Sequence, residues 1–186
     1  MGTYIHVYMS HDLPRFDDAS DTMARLASSL PAALALRDYW RSVDPGGNAL
    51  DEWKVDRMTS RKPDLKFYEG PGSLFLGVTP AAARIITGGR WRGFLSIEAL
   101  REAHLAAFRA VARAMGSAKL ALCSDAFDDV SELFYANASQ AQCVEQMRAA
   151  MGPPQPSVET IAPDVIAQTE HGVLNVWFLD GEADAD

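Results

Sequence analysis

Four acidic side chains follow a short apolar segment in the second half of the chain. Residues 119–123 have the composition of a buried strand, and Asp125, Asp128, Asp129 and Glu132 come directly after it. Carboxylates at the end of a strand can bind Mg²⁺ or transfer protons in α/β proteins. The same residues also suit a helix start, where Asp125 caps the backbone and the other acids stabilise the helix dipole. We favour the helix start, and we expect no metal site and no cofactor.

A second candidate is the segment Gly88-Gly89-Arg90-Trp91-Arg92-Gly93. Glycine amides can approach an anion closely, and arginines bind phosphate or carboxylate groups. The segment lacks the Gly-Lys-Ser/Thr ending of a P-loop and the spacing of a dinucleotide-binding fingerprint. A turn that ends the preceding strand and carries two surface arginines explains the same residues. Arg90 and Arg92 are therefore candidate ligand-binding residues, with the plain turn as the alternative.

The third candidate is His104, in the middle of the apolar stripe of the clearest predicted helix. A histidine there could act as a general base or a metal ligand if the stripe lined a pocket. No partner stands at metal-ligand spacing, so we expect a core histidine that binds a backbone carbonyl. If a pocket exists, His104 and Asp125 are the candidate catalytic residues, and Arg90 and Arg92 hold an anionic ligand.

Charge is spread unevenly along the 186 residues, whose formal net charge is −8. Residues 122–186 hold 12 acids and one base, a net of −11, and residues 54–119 hold 12 bases and five acids, a net of +7. These regions either pair with each other in the fold or form faces for partners of opposite charge. The overall excess of acids argues against nucleic acid, because phosphate neutralisation needs surplus Lys and Arg.

The two cysteines, Cys123 and Cys143, are too few for a disulfide framework and too far apart for a CxxC pair. The first residues lack the basic and apolar regions of a signal peptide. No apolar run approaches the ~18 residues that a membrane span needs. We therefore expect reduced thiols, a cytoplasmic location and no membrane partner. The bias toward Ala, and toward Arg over Lys, is typical of a GC-rich bacterial genome.

The elements that must position these residues follow from periodicity and turn signals. Strands are predicted at 3–9, 73–79, 83–87, 119–123 and 172–180, with a short apolar piece at 65–68 and an edge strand within 52–58. Helices are predicted at 20–30, 96–116, 126–135 and 140–151, with a helical turn at 164–168. Ser96 and Ser139 are predicted N-caps, and Gly88-Gly89 is predicted to end a strand. Pro31 either kinks the first helix or opens a second.

These elements predict one α+β domain over residues 1–186, with residues 181–186 as a frayed acidic tail. We expect a central mixed or mostly antiparallel sheet of about five to seven strands, packed against helices on at least one face. The preferred function is a non-catalytic protein-interaction domain, such as an immunity or antitoxin-like neutraliser of a basic effector. Its contact residues would be Asp125, Asp128, Asp129 and Glu132. The alternative is a small enzyme or ligand-binding domain with an anion pocket around Arg90, Arg92, His104 and Asp125.

Overall fold

The computed structural model describes residues 4–44, 50–57, 63–124, 128–170 and 176–181. The strands within these ranges are β1 (Tyr4–Met9), β2 (Lys54–Val55), β3 (Lys66–Gly70), β4 (Leu74–Val78), β5 (Ala83–Arg90), β6 (Lys119–Ser124) and β7 (Phe178–Gly181). They form one open sheet in the order β2-β3-β4-β5-β1-β6-β7, and every neighbouring pair is antiparallel. The prediction of an α+β fold with an antiparallel sheet is confirmed.

Helices cover both faces of the sheet. They are α1 (Ala19–Leu26), α2 (Leu30–Val43), α3 (Trp91–Ser96), α4 (Glu98–Ala114), α5 (Asp128–Tyr135), α6 (Gln140–Met151) and α7 (Pro163–Glu170). On β1, Ile5 and Val7 point to a first face, where they pack with residues of α1 to α4 and α7. Tyr8 points to a second face, where it packs with Val130 of α5 and Cys143 of α6. The strand β1 therefore lies between two hydrophobic layers, because successive side chains of a strand point to opposite faces.

Side-chain caps are present at the starts of two of the described helices, α1 and α6. The Asp18 side chain accepts the backbone N–H groups of Ser20 and Asp21 at the start of α1. Ser139 caps α6 in a reciprocal capping box with Gln142, as its position in the sequence predicts. Pro31 lies in the first turn of α2, so the second of its two predicted roles is confirmed.

Two predicted boundaries are wrong. Gly88-Gly89 does not end a strand, because β5 continues through both residues to Arg90. A Cβ on Gly89 would lie 2.7 Å from His104 Nε2, so this glycine allows close packing of β5 against α4 rather than a turn. Ser96 is not an N-cap, because it ends α3, and Ile97 precedes α4 in an extended conformation.

The chain end also differs from its prediction. Gly181 belongs to β7, so the predicted frayed tail does not begin there. The rest of that tail, residues 182–186, lies outside the described residues, and so do 172–175 of the predicted last strand. Asp125, which is predicted to cap α5, also lies outside them.

Candidate functional site

Arg84 is a charged side chain buried in the middle of the second face. It lies on β5, where its cross-strand neighbours are Tyr8 on β1 and Gly77 on β4. Only 1% of Arg84 is exposed. Gly77 contributes no side chain, and a Cβ there would lie 3.5 Å from Phe134 of α5. The small neighbour therefore lets Phe134 close over the arginine.

Aromatic rings rather than carboxylates surround the Arg84 guanidinium. Its Cζ lies 4.6 Å from the ring centroids of both Phe134 and Tyr135 and 6.0 Å from that of Tyr8. Nη2 donates to the Tyr135 hydroxyl at 2.6 Å. Nε and Nη1 are buried without a hydrogen-bond partner, and within the described ranges no carboxylate pairs with this arginine. Cation–π contacts of ~2 kcal/mol offset only part of the several kcal/mol that burying an unpaired charge costs.

Beside Arg84, three polar side chains form a triangle between β1 and α5. His6 Nδ1 lies 3.4 Å from both the Tyr8 hydroxyl and the Ser131 hydroxyl, and the two hydroxyls are 3.3 Å apart. Burial, and then the positive charge of Arg84, lower the pKa of His6 to about 3. Burial also raises the pKa of Tyr8. Both groups are therefore neutral at pH 7.

This triangle is poorly suited to acid–base catalysis. An efficient general base has a pKa near the working pH and a short hydrogen bond to its substrate group. The low pKa of His6 makes it a weak base, and its contact with Ser131 is long. The site instead combines the permanent positive charge of Arg84 with the neutral hydroxyl groups of Tyr8 and Ser131 in the protein interior. That combination is suited to binding an anion.

A second feature lies on the outer side of the same helical layer. We define the acidic surface as the exposed carboxylates Asp128, Asp129 and Glu132 of α5 and Glu145 of α6. Glu145 lines a separate cleft, which it shares with Lys119 and Arg148. None of these four makes an ion pair or a hydrogen bond with another part of the described chain. The helix dipole explains Asp128 and Asp129, which occupy the first turn of α5. It does not explain Glu132 and Glu145, which lie further along their helices.

The acidic surface includes a cleft and adjoins an exposed aromatic ring. An open cleft of about 360 Å³ lies between α5 and α6. Its lining residues are Asp129, Glu132, Leu133, Ala136 and Gln146. Tyr135, at the end of α5, is 48% exposed although its hydroxyl contacts the buried Arg84. Carboxylates and apolar atoms therefore share this side of the molecule.

Ion pairs elsewhere use many of the remaining charges. Arg25 pairs with Asp12 and Asp21, and Arg37 pairs with Asp38 and Asp51. Arg109 joins the basic and acidic regions of the sequence. It donates to both carboxylate oxygens of Asp180 at 2.7 and 2.8 Å and to Glu159 at 3.0 Å. The predicted pairing between the two regions thus involves Glu159 and Asp180 but not the acidic surface.

His104 is a core residue on the first face. It is fully buried, and its Nδ1 donates to the Leu100 carbonyl at 2.8 Å. Its ring meets the rings of Trp40, Phe94 and Phe108. Burial lowers the pKa of His104 to about 4, so the side chain is neutral at pH 7. It has the backbone-carbonyl contact expected of a core histidine.

The predicted anion pocket does not assemble around Arg90, Arg92 and His104. The two arginines are exposed, whereas His104 is closed off from solvent. Arg90, Arg92 and His104 line none of four clefts formed by described residues. Asp125 lies outside the described residues, so its place in such a pocket stays a prediction.

Neither cysteine forms a disulfide, and both Cys123 and Cys143 are buried. Across the described part of the chain, no group of three or more His, Cys, Asp or Glu side chains could hold a metal ion. Within the same part, no helix has both the length and the apolar character needed to cross a membrane. Comparison of the chain with protein-family models, curated proteins and solved structures gave no match.

Sequence analysis missed Arg84 and its surroundings. The signal was present, because one arginine interrupts an otherwise apolar strand in the segment Ala83-Arg84-Ile85-Ile86. A charged residue at that position suggests an exposed face of the strand. Only the sheet register and the closure by α5 place it among Tyr8, Phe134 and Tyr135.

Proposed function

We propose that the protein is a non-catalytic interaction domain that binds a basic protein through its acidic surface. In this respect it would act like an immunity protein or antitoxin that neutralises a basic effector. The observation that carries the proposal is the set of four exposed, unpaired carboxylates on α5 and α6. A bacterial origin and a cytoplasmic location belong to the proposal, and the two free thiols support that location.

Physical reasons favour an external partner for these carboxylates. Glu132 and Glu145 neither cap a helix nor form an ion pair with a cation of the described chain. An unpaired acidic surface attracts basic partners over distance and orients their approach. Tyr135 supplies the exposed aromatic area that protein interfaces commonly use. The charge and the aromatic side chain together suit a protein partner better than a small cation.

The other function classes receive less support. The acidic surface repels phosphate groups, which argues against nucleic acid as its partner. The small enzyme or ligand-binding domain needs a pocket, and Arg90, Arg92 and His104 do not line one together.

Native mass spectrometry of the tagged protein, isolated gently from cells of its own source, tests the proposal first. We expect a stoichiometric complex with one protein that carries a net positive charge at pH 7. The free chain alone, or a complex with an acidic protein, would contradict the proposal. A retained small anion with no protein partner would favour the ligand-binding class instead.

A further inference from the structure

We propose that Arg84 is the centre of a binding site for a small oxyanion, either a carboxylate or a phosphate group. Arginine stays charged when it is buried. Arg84 is 1% exposed, yet two of its three nitrogen atoms, Nε and Nη1, have no hydrogen-bond partner. Buried polar groups are nearly always satisfied in folded proteins, so this exception requires a cause. An oxyanion would supply both the missing acceptors and the missing negative charge.

The groups around Arg84 are of the kinds that bind oxyanions. A guanidinium group donates two parallel hydrogen bonds to the oxygens of one carboxylate or phosphate. The hydroxyl groups of Tyr8 and Ser131 are adjacent, 3.3 Å apart, and can donate to a further oxygen. The rings of Tyr8 and Phe134 are fully buried, and such apolar walls strengthen the attraction between opposite charges.

Tyr135 gives the site a route to solvent. It is 48% exposed, whereas Tyr8 and Phe134 are fully buried. Its ring covers the guanidinium at 4.6 Å, and its hydroxyl accepts the bond from Nη2. Rotation of this side chain would release Nη2 as a third donor for the ligand. Without a bound oxyanion, the Tyr135 hydroxyl therefore accepts the hydrogen bond that Nη2 would otherwise donate to the ligand.

The site and the proposed protein interaction share Tyr135, but they depend on different charged groups. Arg84 lies beneath α5, in the second face, and the acidic surface lies on the outer sides of α5 and α6. Loss of oxyanion binding would leave the four exposed carboxylates unchanged, and charge reversal of those carboxylates would leave Arg84 in place. The two proposals can therefore fail separately.

The test measures thermal unfolding in Tris-chloride buffer with added sodium acetate, sodium phosphate or sodium chloride at equal ionic strength. At tens of millimolar oxyanion and a millimolar dissociation constant, we expect the wild-type midpoint to rise by about 4 °C relative to chloride. Arg84→Met should remove this rise. Tyr135→Phe, which loses the hydroxyl but keeps Arg84, should retain it.

Arginine side-chain NMR gives a second readout that needs no variant to fold at full stability. The Nε–H signal of Arg84 in the wild-type protein should shift on titration with acetate or phosphate and stay unchanged with chloride. A response to acetate alone identifies a carboxylate ligand, and a response to phosphate alone identifies a phosphate ligand. No response to either, or an equal midpoint rise in Arg84→Met, would overturn the proposal and leave a buried water as the partner of Arg84.

Discussion

At the scale of single residues, the protein buries two histidines in different environments. His104 is enclosed by aromatic rings on the first face, and His6 contacts Tyr8 and Ser131 on the second. Burial lowers the pKa of His104 from 6.5 to about 4 and that of His6 from 6.5 to about 3. The unfolded chain therefore binds two protons between pH 6.5 and 4 that the folded chain does not bind.

The free energy of unfolding should consequently decrease as the pH falls below 6.5. Each histidine contributes a slope of at most about 1.4 kcal/mol per pH unit. We expect denaturant titrations between pH 7 and 5 to show a combined slope approaching twice that value at the acid end. The substitution His104→Gln should remove about half of it.

Leu105→Ala is the matched control for this prediction, because it destabilises the same helix without removing a titratable group. The free energy of unfolding of this variant should be lower than that of the wild type at every pH, but it should change with pH at the same slope. A His104→Gln variant with the wild-type slope would show that His104 is protonated in the folded protein at pH 5.

The burial or capping role of a single residue could be predicted from the sequence where neighbouring residues in the chain determine it. The helical stripe around His104 indicated a buried position, and the order Ser139 to Gln142 indicated a capping box. Arg84 was not predictable, because its burial depends on a helix that follows it by more than forty residues in the sequence. Long-range packing of this kind leaves no local pattern.

At the scale of elements, β5 and α3 show how tertiary packing overrides local signals. Gly88-Gly89 has the sequence of a turn, yet β5 continues past it to Arg90. The two glycines form a bulge opposite β1, where Thr87 pairs with Ile5 and Arg90 with Tyr4, and the pairing with β4 ends at Thr87. Trp91, Phe94 and Leu95 are buried, and their burial organises the next residues into α3. Ser96 therefore ends a short helix instead of starting the long one. The predicted elements were otherwise in the right order.

The two glycines of β5 give a direct test of this packing. A Cβ on Gly89 would lie 2.7 Å from His104 Nε2 and 3.3 Å from Trp40 Cζ2. Gly89→Ala should therefore destabilise the protein by about 1–3 kcal/mol, as overpacking in a core does. Urea unfolding measures the change.

Gly88→Ala is the internal control, because Gly88 is exposed on the same strand and a Cβ there would come closest to Ser73, at 3.3 Å. We expect a change of less than about 1 kcal/mol, since Gly88 is exposed and the half-buried Ser73 needs to shift by only a few tenths of an ångström. Equal effects of the two substitutions would contradict the packing role of Gly89.

At the scale of the whole molecule, the antiparallel sheet separates two different chemical environments. The first face carries the larger hydrophobic layer with His104, and the second carries Arg84 under α5 and α6. The sequence predicted the fold class, the sheet and its coverage by helices, because alternation and helical stripes encode them. It also indicated the acidic region. The selective pairing of Glu159 and Asp180 with Arg109 emerged only from the fold.

Charge reversal on α5 and α6 tests the proposed binding of a basic protein. The sharpest variant is Glu132→Lys with Glu145→Lys, because it reverses two charges and leaves the first turn of α5 unchanged. The matched control is Asp64→Lys with Glu102→Lys, which reverses two exposed carboxylates elsewhere that also make no ion pair within the described chain.

The most direct test is the dissociation constant of the captured partner for the wild type and both variants, measured by titration calorimetry. We predict at least about 10-fold weaker binding for the α5–α6 variant and a change of less than about 3-fold for the control. The wild-type affinity should also fall as salt is added, because exposed charges are screened. Unchanged affinity in the α5–α6 variant, or equal losses in both variants, would contradict the proposed binding surface.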